Sequence, residues 1–145
     1  MRGAYVLVTY VAEAVDVEVG SLGAVRLVAG RHLYVGSAMN GVLPRVLRHF
    51  KRDKPVRWHI DRIRPYAEPE CALLFPSPVR IECELARRVE AMSDSSIHGF
   101  GCSDCRCASH LFHTTSSLDG LVRGLGPPAI LFPPNEPDSP GSNII

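Results

Sequence analysis

The sequence predicts a small α+β domain, and three segments of the first fifty residues carry that prediction. Residues 4–11 are β-branched, aromatic or aliphatic and include neither glycine nor proline, which is typical of a buried strand. Residues 15–29 alternate, turn at a Gly-Ser-Leu-Gly sequence and continue as an apolar run, which indicates a β-hairpin. Residues 43–50 repeat apolar side chains at helical spacing. Strands and a helix thus occur together in one short stretch of chain, which predicts a mixed α+β domain.

The length and composition are those of one domain. With 145 residues and 46% hydrophobic residues, the chain is able to build one core without help from disulfides. We assign residues 1–126 to this domain and residues 127–145 to a tail whose six prolines exclude helix and interior strand. The sequence has no apolar run long enough to span a membrane and no secretory leader, so we expect a cytoplasmic protein.

Positive charge is concentrated in one segment of the chain. The net charge is only +1, yet residues 43–64 carry +6 and the remainder carries −5. The basic residues of this segment are Arg45, Arg48, Lys51, Arg52, Lys54, Arg57, Arg62 and Arg64. A local basic patch on a neutral protein is what binding to a phosphate backbone requires, and a solvated basic helix face is the alternative interpretation.

The elements after the hairpin begin with a strand and an amphipathic helix. Residues 32–35 are predicted as the strand, and Asn40 is placed to cap the helix, with Pro44 in its first turn. The core face of the helix is predicted from the apolar residues Leu43, Val46, Leu47 and Phe50. The face toward solvent or ligand is predicted from the basic residues Arg45, His49 and Arg52.

The second half of the chain continues with short strands and helices. We expect a short helix over residues 58–63, a strand over 71–75, a loop over 98–109, a strand over 110–114 and a helix over 117–123. A longer helix is predicted to begin with Ser77 as its N-cap and to end near Ser93. Its core face is predicted from Ile81, Leu85, Val89 and Met92.

Glu82 lies on the apolar side of this longer helix, because apolar residues follow it three, four and seven positions later. A carboxylate in that position needs a partner. The partner is either an arginine in a buried ion pair or a hard cation such as Mg²⁺, and the sequence leaves both open. Glu84, by contrast, has Arg80 and Arg88 at i−4 and i+4 and is expected on the exposed face.

Two tyrosine motifs and the residues that follow them resemble a known family. Tyr5 follows Gly-Ala on the first strand, and Tyr34 opens the sequence Tyr-Val-Gly-Ser-Ala. Arg45 and His49 then lie four residues apart on a helix, and Glu82 opens the sequence Glu-Cys-Glu-Leu-Ala. This combination resembles the GIY-YIG nuclease domain over residues 3–90. Residues 99–112 are similar to the signature of a prokaryotic branch of that superfamily, whose members occur alone or fused to DNA-repair glycosylases.

The resemblance implies a fold and an activity. The fold is an antiparallel sheet of about three strands flanked by helices, lengthened here by the hairpin between the two tyrosine motifs. The activity is a metal-dependent endonuclease that hydrolyses DNA phosphodiester bonds in repair or recombination. The residues that the family brings to one surface correspond here to Tyr5, Tyr34, Arg45, His49 and Glu82.

Each of these residue types suits a task in phosphodiester hydrolysis. Glu82 would hold one Mg²⁺ or Mn²⁺ ion, and Arg45 would bind the nonbridging oxygens of the scissile phosphate. His49 would orient the same phosphate, and Tyr5 or Tyr34 would position or deprotonate water, which requires a neighbouring cation to lower the tyrosine pKa. His59 is either a proton shuttle or part of an anchor for the basic segment.

DNA is the expected partner, with RNA left open because phosphate contacts carry no sequence information. A DNA-repair glycosylase is the protein partner that the fused relatives imply. The residues expected to contact the phosphate backbone are Gly36, Ser37, Arg48, Lys51, Arg52, Lys54 and Arg57. The alternative to an enzyme is a nucleic-acid-binding module that keeps the basic helix and cleaves nothing.

A cysteine-rich loop adds a second possible metal site. Cys102, Cys105 and Cys107, followed by His110, offer the ligand types of a structural zinc site, although a second well-spaced ligand pair is missing. Buried thiols without a metal are the alternative interpretation. A zinc-stabilised interaction protein is therefore a further hypothesis, and the cysteine spacing itself is typical of a reducing compartment.

Overall fold

The first apolar run of the chain forms a central strand of a six-stranded antiparallel sheet. The computed structural model describes residues 1–102, 107–126 and 130–133. The strands are β1 (Gly3–Val11), β2 (Val15–Glu18), β3 (Ala24–Leu27), β4 (Gly30–Ala38), β5 (Ala67–Pro76), β6 (Ser95–Ser96), β7 (Leu111–Thr114) and β8 (Ile130–Phe132). The large sheet has the order β6-β7-β4-β1-β5-β8, and β2 pairs with β3 as a separate two-stranded hairpin. The predicted α+β class and the hairpin are both confirmed.

In the part of the chain that the structure describes, four α-helices accompany the sheet. They are α1 (Val42–Phe50), α2 (His59–Ile63), α3 (Glu82–Ala91) and α4 (Leu118–Leu125), and a short 3-10 helix (Gly20–Leu22) forms the hairpin turn. Within the described residues, none of these helices is long and apolar enough to cross a membrane. Ser117 caps α4 as a hydroxyl acceptor for the backbone N–H of Gly120, 3.0 Å away, which is the usual role of serine at that position.

The sheet is larger than the three strands expected. The additional strands lie at its edges, where β6 and β7 extend beyond β4, and β8 extends beyond β5. Strand β7 confirms the strand predicted over residues 110–114, whereas β6 and β8 are only two and three residues long and carry little periodicity of their own. Strand β8 comes from the proline-rich tail and takes an edge position, where a strand tolerates prolines nearby.

Both faces of the sheet are buried, which explains the nearly continuous apolar sequence of β1. Tyr5, Leu7 and Val11 point to one core, shared with α1, α2 and the hairpin. Ala4, Val6 and Val8 point to a second core, shared with α3 and α4. Because side chains alternate along a strand, a strand between two cores has no polar face.

The core face of α1 differs from the predicted one. Leu43 and Leu47 are 40% and 46% exposed, whereas Val42, Val46 and His49 are buried. Positions 42, 46 and 49 also have helical spacing and form the buried face of α1. A search for apolar residues did not find this face, because one of its members is a histidine. His49 therefore does not lie on the solvent face with Arg45, and Arg52 lies beyond the end of the helix.

The helix starts were also predicted incorrectly. Helix α1 begins after Gly41, which has a φ of 146°, and Asn40 supplies no capping hydrogen bond. Helix α3 begins at Glu82, because the hydroxyl of Ser77 closes a local turn through its hydrogen bonds with the backbone of Val79. This shorter α3 places Glu82 in its first turn, next to the loop that precedes β7.

Candidate active site

A cavity of about 430 Å³ gathers side chains from separate elements. Tyr34 and Ser37 come from β4, Arg45 from α1, His59 from α2 and Glu82 from the start of α3. The remaining lining residues come from the hairpin, the basic segment and the loop before β7: Gly20, Val56, Arg57, Trp58, Arg62 and Gly101. The fold thus brings four of the six catalytic candidates, Tyr34, Arg45, His59 and Glu82, to one polar cavity.

Tyr5 and His49 form the buried wall beside this cavity. The hydroxyl of Tyr5 lies 2.6 Å from Nε2 of His49, and both side chains are 1% exposed. The ring of Tyr34 packs near both of them, with centroids 6.4 Å from Tyr5 and 5.8 Å from His49. Gly36 lies opposite Tyr5 in the sheet, where a Cβ atom would stand 2.4 Å from the tyrosine ring. Glycine is required there because it leaves room for that ring.

Burial sets the protonation states of this aromatic cluster. Desolvation raises the pKa of Tyr5 well above its usual value, and the neighbouring Arg45 opposes the shift only in part. Desolvation and the nearby carboxylate of Glu82 likewise raise the pKa of Tyr34. Desolvation lowers the pKa of His49 to about 3, so the imidazole is neutral at pH 7. The two tyrosines are therefore protonated, and Tyr5 is able to donate its hydrogen bond to a neutral His49.

Arg45 is held in place at the cavity by two contacts. Its Nη1 donates to the backbone carbonyl of Ser37 at 3.1 Å, and its guanidinium carbon lies 4.4 Å from the ring centre of Trp58. The guanidinium of Arg48 lies 4.3 Å from the same ring centre. Trp58 thus contacts both arginines through cation–π geometry. The remaining guanidinium N–H groups of Arg45 are the donors that an anion in the cavity would meet.

Glu82 contacts a histidine and not an arginine. Its Oε2 lies 2.9 Å from Nδ1 of His110, and its side chain is 24% exposed. Of the two partners left open by the sequence, the arginine ion pair is absent among the described residues. Glu82 also lines the cavity, so its carboxylate is the oxygen ligand that a cation there would meet. A single carboxylate suits Mg²⁺, which keeps several waters and takes further oxygen ligands from a bound phosphate.

His59 lies in the cavity, beside residues that anchor the basic segment. Its Nδ1 accepts a hydrogen bond from the backbone N–H of Gly101 at 3.0 Å, which fixes the orientation of the ring. Desolvation and the nearby Arg62 lower the pKa of His59. The neighbouring Trp58 and Ile60 pack into the protein and anchor the basic segment.

The basic candidates divide into two groups. Arg48 forms a two-pronged ion pair with Asp61 at 3.0 and 3.1 Å, and Lys54 donates to three carbonyls at the end of α1. Both side chains are thus engaged within the protein. Exposed cations of the segment include Lys51, Arg52, Arg57 and Arg62. Arg57 and Arg62 line the cavity, while Arg52 lies 3.5 Å from Glu68.

Three of the four zinc candidates, Cys102, Cys107 and His110, lie within the described residues. Cys107 and His110 lie close together, but the third member of their group is Cys83 of α3. The sulfur of Cys102 instead donates to the carbonyl of Phe100 at 3.3 Å. Cys105 lies outside the described residues. Cys83 stands in no cysteine motif, so the sequence offered no signal for it.

Two further contacts of the site were not predicted. Asp61 is buried and accepts hydrogen bonds from Arg48 and from the backbone N–H groups of Arg57 and Trp58. Burial alone would raise the pKa of Asp61, but these hydrogen bonds lower it below its usual value. The second missed contact is that of His110 with Glu82. A lone aspartate in a basic segment and a histidine in a distant loop give no pattern from which either role follows.

Comparison with known proteins identifies the family. The chain matches DUF123, described as a domain of unknown function, over residues 4–123. No curated protein and no solved structure matches it. The matched range takes in both tyrosine motifs, the basic segment, Glu82 and the loop with Cys107. Since the match covers most of the chain, this protein belongs to the DUF123 family.

Proposed function

We propose that this protein is a metal-dependent endonuclease of the GIY-YIG type that hydrolyses DNA phosphodiester bonds. The observation that carries the proposal is the convergence of Tyr34, Arg45, His59 and Glu82 on one polar cavity. Four elements supply these residues, and the family resemblance assigns them to phosphodiester chemistry. Tyr5 and His49 support the cavity from the protein interior.

The donor set matches the needs of phosphodiester hydrolysis. That reaction requires neutralisation of the charge on phosphorus, a positioned water molecule and stabilisation of the leaving oxygen. Arg45 is anchored on Ser37 and Trp58, so it presents a fixed cation to the nonbridging oxygens. Glu82 would hold the Mg²⁺ or Mn²⁺ ion, which supplies Lewis-acid stabilisation when bound.

The two tyrosines take different parts in this proposal. Tyr34 lines the cavity, whereas Tyr5 is enclosed behind it and hydrogen-bonded to His49. Because the pKa of Tyr34 is raised, this residue enters the reaction as a hydrogen-bond donor that positions the phosphate or the attacking water. Tyr5 and His49 are positioning residues that fix the Tyr34 ring.

The surface around the cavity suits a nucleic-acid backbone. Arg57 and Arg62 line its polar wall and are exposed to solvent. A second hollow of about 310 Å³ shares Arg45, Arg57 and Trp58 with the cavity. Two neighbouring depressions with shared cations provide a path for a strand that carries its phosphates past Arg45.

Cleavage of a panel of labelled DNA tests the proposal. The panel contains single-stranded, duplex, nicked, flapped and branched substrates, each with Mg²⁺ or Mn²⁺. The wild-type protein is expected to cut at least one substrate in a metal-dependent way. Glu82→Gln and Arg45→Ala are expected to lower the rate by about 100-fold or more, as when other stabilising donors are removed.

Glu84→Gln is the matched control, because Glu84 is exposed two residues after Glu82 on the same helix. Its rate is expected to equal that of the wild-type protein. Binding to the panel without cleavage in any substrate would contradict the proposal and favour a nucleic-acid-binding module. Equal loss of activity in Glu84→Gln and Glu82→Gln would show that the effect comes from the helix and not from the carboxylate in the cavity.

A further inference from the structure

Two thiols and an imidazole form a cluster beside the candidate active site, and the proposed hydrolysis does not use it. The sulfurs of Cys83 and Cys107 and a ring nitrogen of His110 all lie within 4.8 Å of one another. Cys83 belongs to the first turn of α3, while Cys107 and His110 precede β7. The packing of α3 near β7 brings these atoms together, although the residues are distant in sequence.

We propose that Cys83, Cys107 and His110 form a zinc site. Thiolate sulfur and imidazole nitrogen are common zinc ligands, with bonds of about 2.3 Å to sulfur and about 2.0 Å to nitrogen. In a tetrahedral site these bonds separate neighbouring ligand atoms by roughly 3.5 to 4 Å. Ligand atoms already within 4.8 Å of one another need only small side-chain rotations to reach that geometry.

The surroundings of the cluster suit a bound ion. His110 is buried, and the two cysteines are half-buried, so the ligand atoms are largely shielded from solvent but remain accessible to an ion. A cavity of about 280 Å³ is lined by both cysteines and by Arg87, Glu90 and Ser109 among others. It gives the ion an entry path and leaves room for a water molecule as the fourth ligand. Sulfur ligands favour zinc over Mg²⁺, which binds oxygen, so the two proposed sites differ in the metal they select.

Glu82 places a carboxylate beside the ring of His110, at ion-pair distance but without hydrogen-bond geometry, and a small rotation of the ring toward a bound metal would align the two groups. Oε2 of Glu82 lies 2.9 Å from Nδ1 of His110, and the proposal assigns the other ring nitrogen, Nε2, to the metal. A metal-bound histidine commonly donates its second ring N–H to a carboxylate, which fixes the ring. Glu82 also lines the candidate active-site cavity, so this carboxylate lies between the two proposed sites. The zinc site itself does not depend on the proposed nuclease activity.

Metal analysis of the untagged full-length protein tests the site. After exposure to equimolar Zn²⁺ and gel filtration, mass spectrometry of the elements is expected to find one zinc ion per chain. Replacement of zinc by Co²⁺ is expected to produce the visible absorption of a tetrahedral ion together with thiolate-to-cobalt charge transfer. The cobalt spectrum is a property of the wild-type protein, so it decides the proposal even where a variant fails to fold.

Variants distinguish a zinc site at Cys83, Cys107 and His110 from one built on the cysteine-rich loop. Cys83→Ser and Cys107→Ser are expected to lose the zinc, while Cys102→Ser keeps it because Cys102 lies outside the cluster. Glu82→Gln is expected to bind zinc about 10- to 100-fold more weakly, which is the usual effect of losing the carboxylate partner of a histidine ligand. This weakening is measured by competition with a zinc-binding dye and requires no nuclease activity.

Three results would overturn the proposal. The first is a wild-type protein that retains no zinc and gives a cobalt spectrum without thiolate absorption. The second is a folded Cys83→Ser that binds zinc as tightly as the wild type, and the third is a disulfide between Cys83 and Cys107 in the protein isolated from cells. Zinc binding without any cleavage would refute only the nuclease, and cleavage without zinc would refute only this site.

Discussion

The imidazole of His49 lies between the hydroxyl of Tyr5 and the indole of Trp58. It is 2.6 Å from the hydroxyl, and its ring centre is 6.3 Å from that of Trp58. Because burial keeps this histidine neutral, it serves as a fixed acceptor and not as a charge for the phosphate. The cationic part of the site is therefore assigned to Arg45, with its anchors on Ser37 and Trp58.

The buried histidines make stability depend on pH. The folded-state pKa is about 3 for His49 and about 4 for His32, and burial lowers both values from about 6.5. The unfolded chain therefore binds more protons than the folded protein below pH 6.5. We expect the contribution of these neutral histidines to the free energy of unfolding to be complete above pH 6.5. Below that pH the free energy of unfolding falls, by up to about 1.4 kcal/mol per pH unit for each histidine.

Urea unfolding at pH 7 and pH 5 checks this prediction. His49→Gln keeps an acceptor for Tyr5 but has no titrating group, so its loss of stability between the two pH values is expected to be smaller. His98→Gln is the control, because His98 is exposed. A pH dependence that is the same in wild type and His49→Gln would contradict the assignment of a neutral buried His49.

At the scale of the elements, one carboxylate holds the part of the basic segment that connects α1 to α2. Asp61 accepts two hydrogen bonds from Arg48 and two from the backbone N–H groups of Arg57 and Trp58, at distances of 2.8 to 3.1 Å. Lys54 secures the other end of the segment by donating to carbonyls of α1. Trp58 is positioned by this framework, and with it Arg45. The most basic segment of the chain thus derives its shape from an acid.

Asp61→Asn is expected to destabilise the protein by about 3 kcal/mol, because it breaks a buried ion pair and leaves the guanidinium without its partner. The control is Asp16→Asn, which breaks the exposed pair with Arg26 on the hairpin. That change is expected to cost less than about 1 kcal/mol. Urea unfolding measures both. Equal effects of the two substitutions would show that Asp61 does not have the structural role described here.

At the scale of the whole molecule, charge is separated although the net charge is only +1. The basic segment borders the cavity, and the exposed Arg57 and Arg62 line it. Other cations of the segment stabilise the fold, Arg48 through Asp61 and Arg64 through carbonyls of α1. Under the proposed function, the number of cations that reach a nucleic acid is therefore smaller than the sequence count suggests.

The salt dependence of DNA binding measures that number. Each phosphate contact contributes about 0.9 to the slope of the logarithm of affinity against the logarithm of salt concentration. Under the proposed function, replacing both Arg57 and Arg62 by alanine is expected to reduce the slope by about 1.8 and to weaken binding to all sequences alike. Arg123→Ala on α4 is the exposed control and is expected to leave the slope unchanged. An unchanged slope in the double variant would place the DNA elsewhere on the surface.

The sequence by itself determined the local features of this protein. The strand character of β1, the hairpin of β2 and β3, the existence of α1 and α3 and the basic segment all follow from periodicity and composition within a few neighbouring residues. The candidates Tyr34, Arg45, His59 and Glu82 were also chosen from the sequence, through the family resemblance. These features are local because dihedral preferences and side-chain spacing act over one or two turns of chain.

Only the tertiary structure decided which side chains are buried and which atoms meet. His49 belongs to the core face of α1 because it is buried against the sheet and lies within hydrogen-bonding distance of the Tyr5 hydroxyl. No property of α1 alone specifies this. The contacts of Glu82 with His110 and of Cys83 with Cys107 join α3 to a loop far along the chain. Such contacts depend on how elements pack, since burial and long-range pairing are settled by the whole core and not by local sequence.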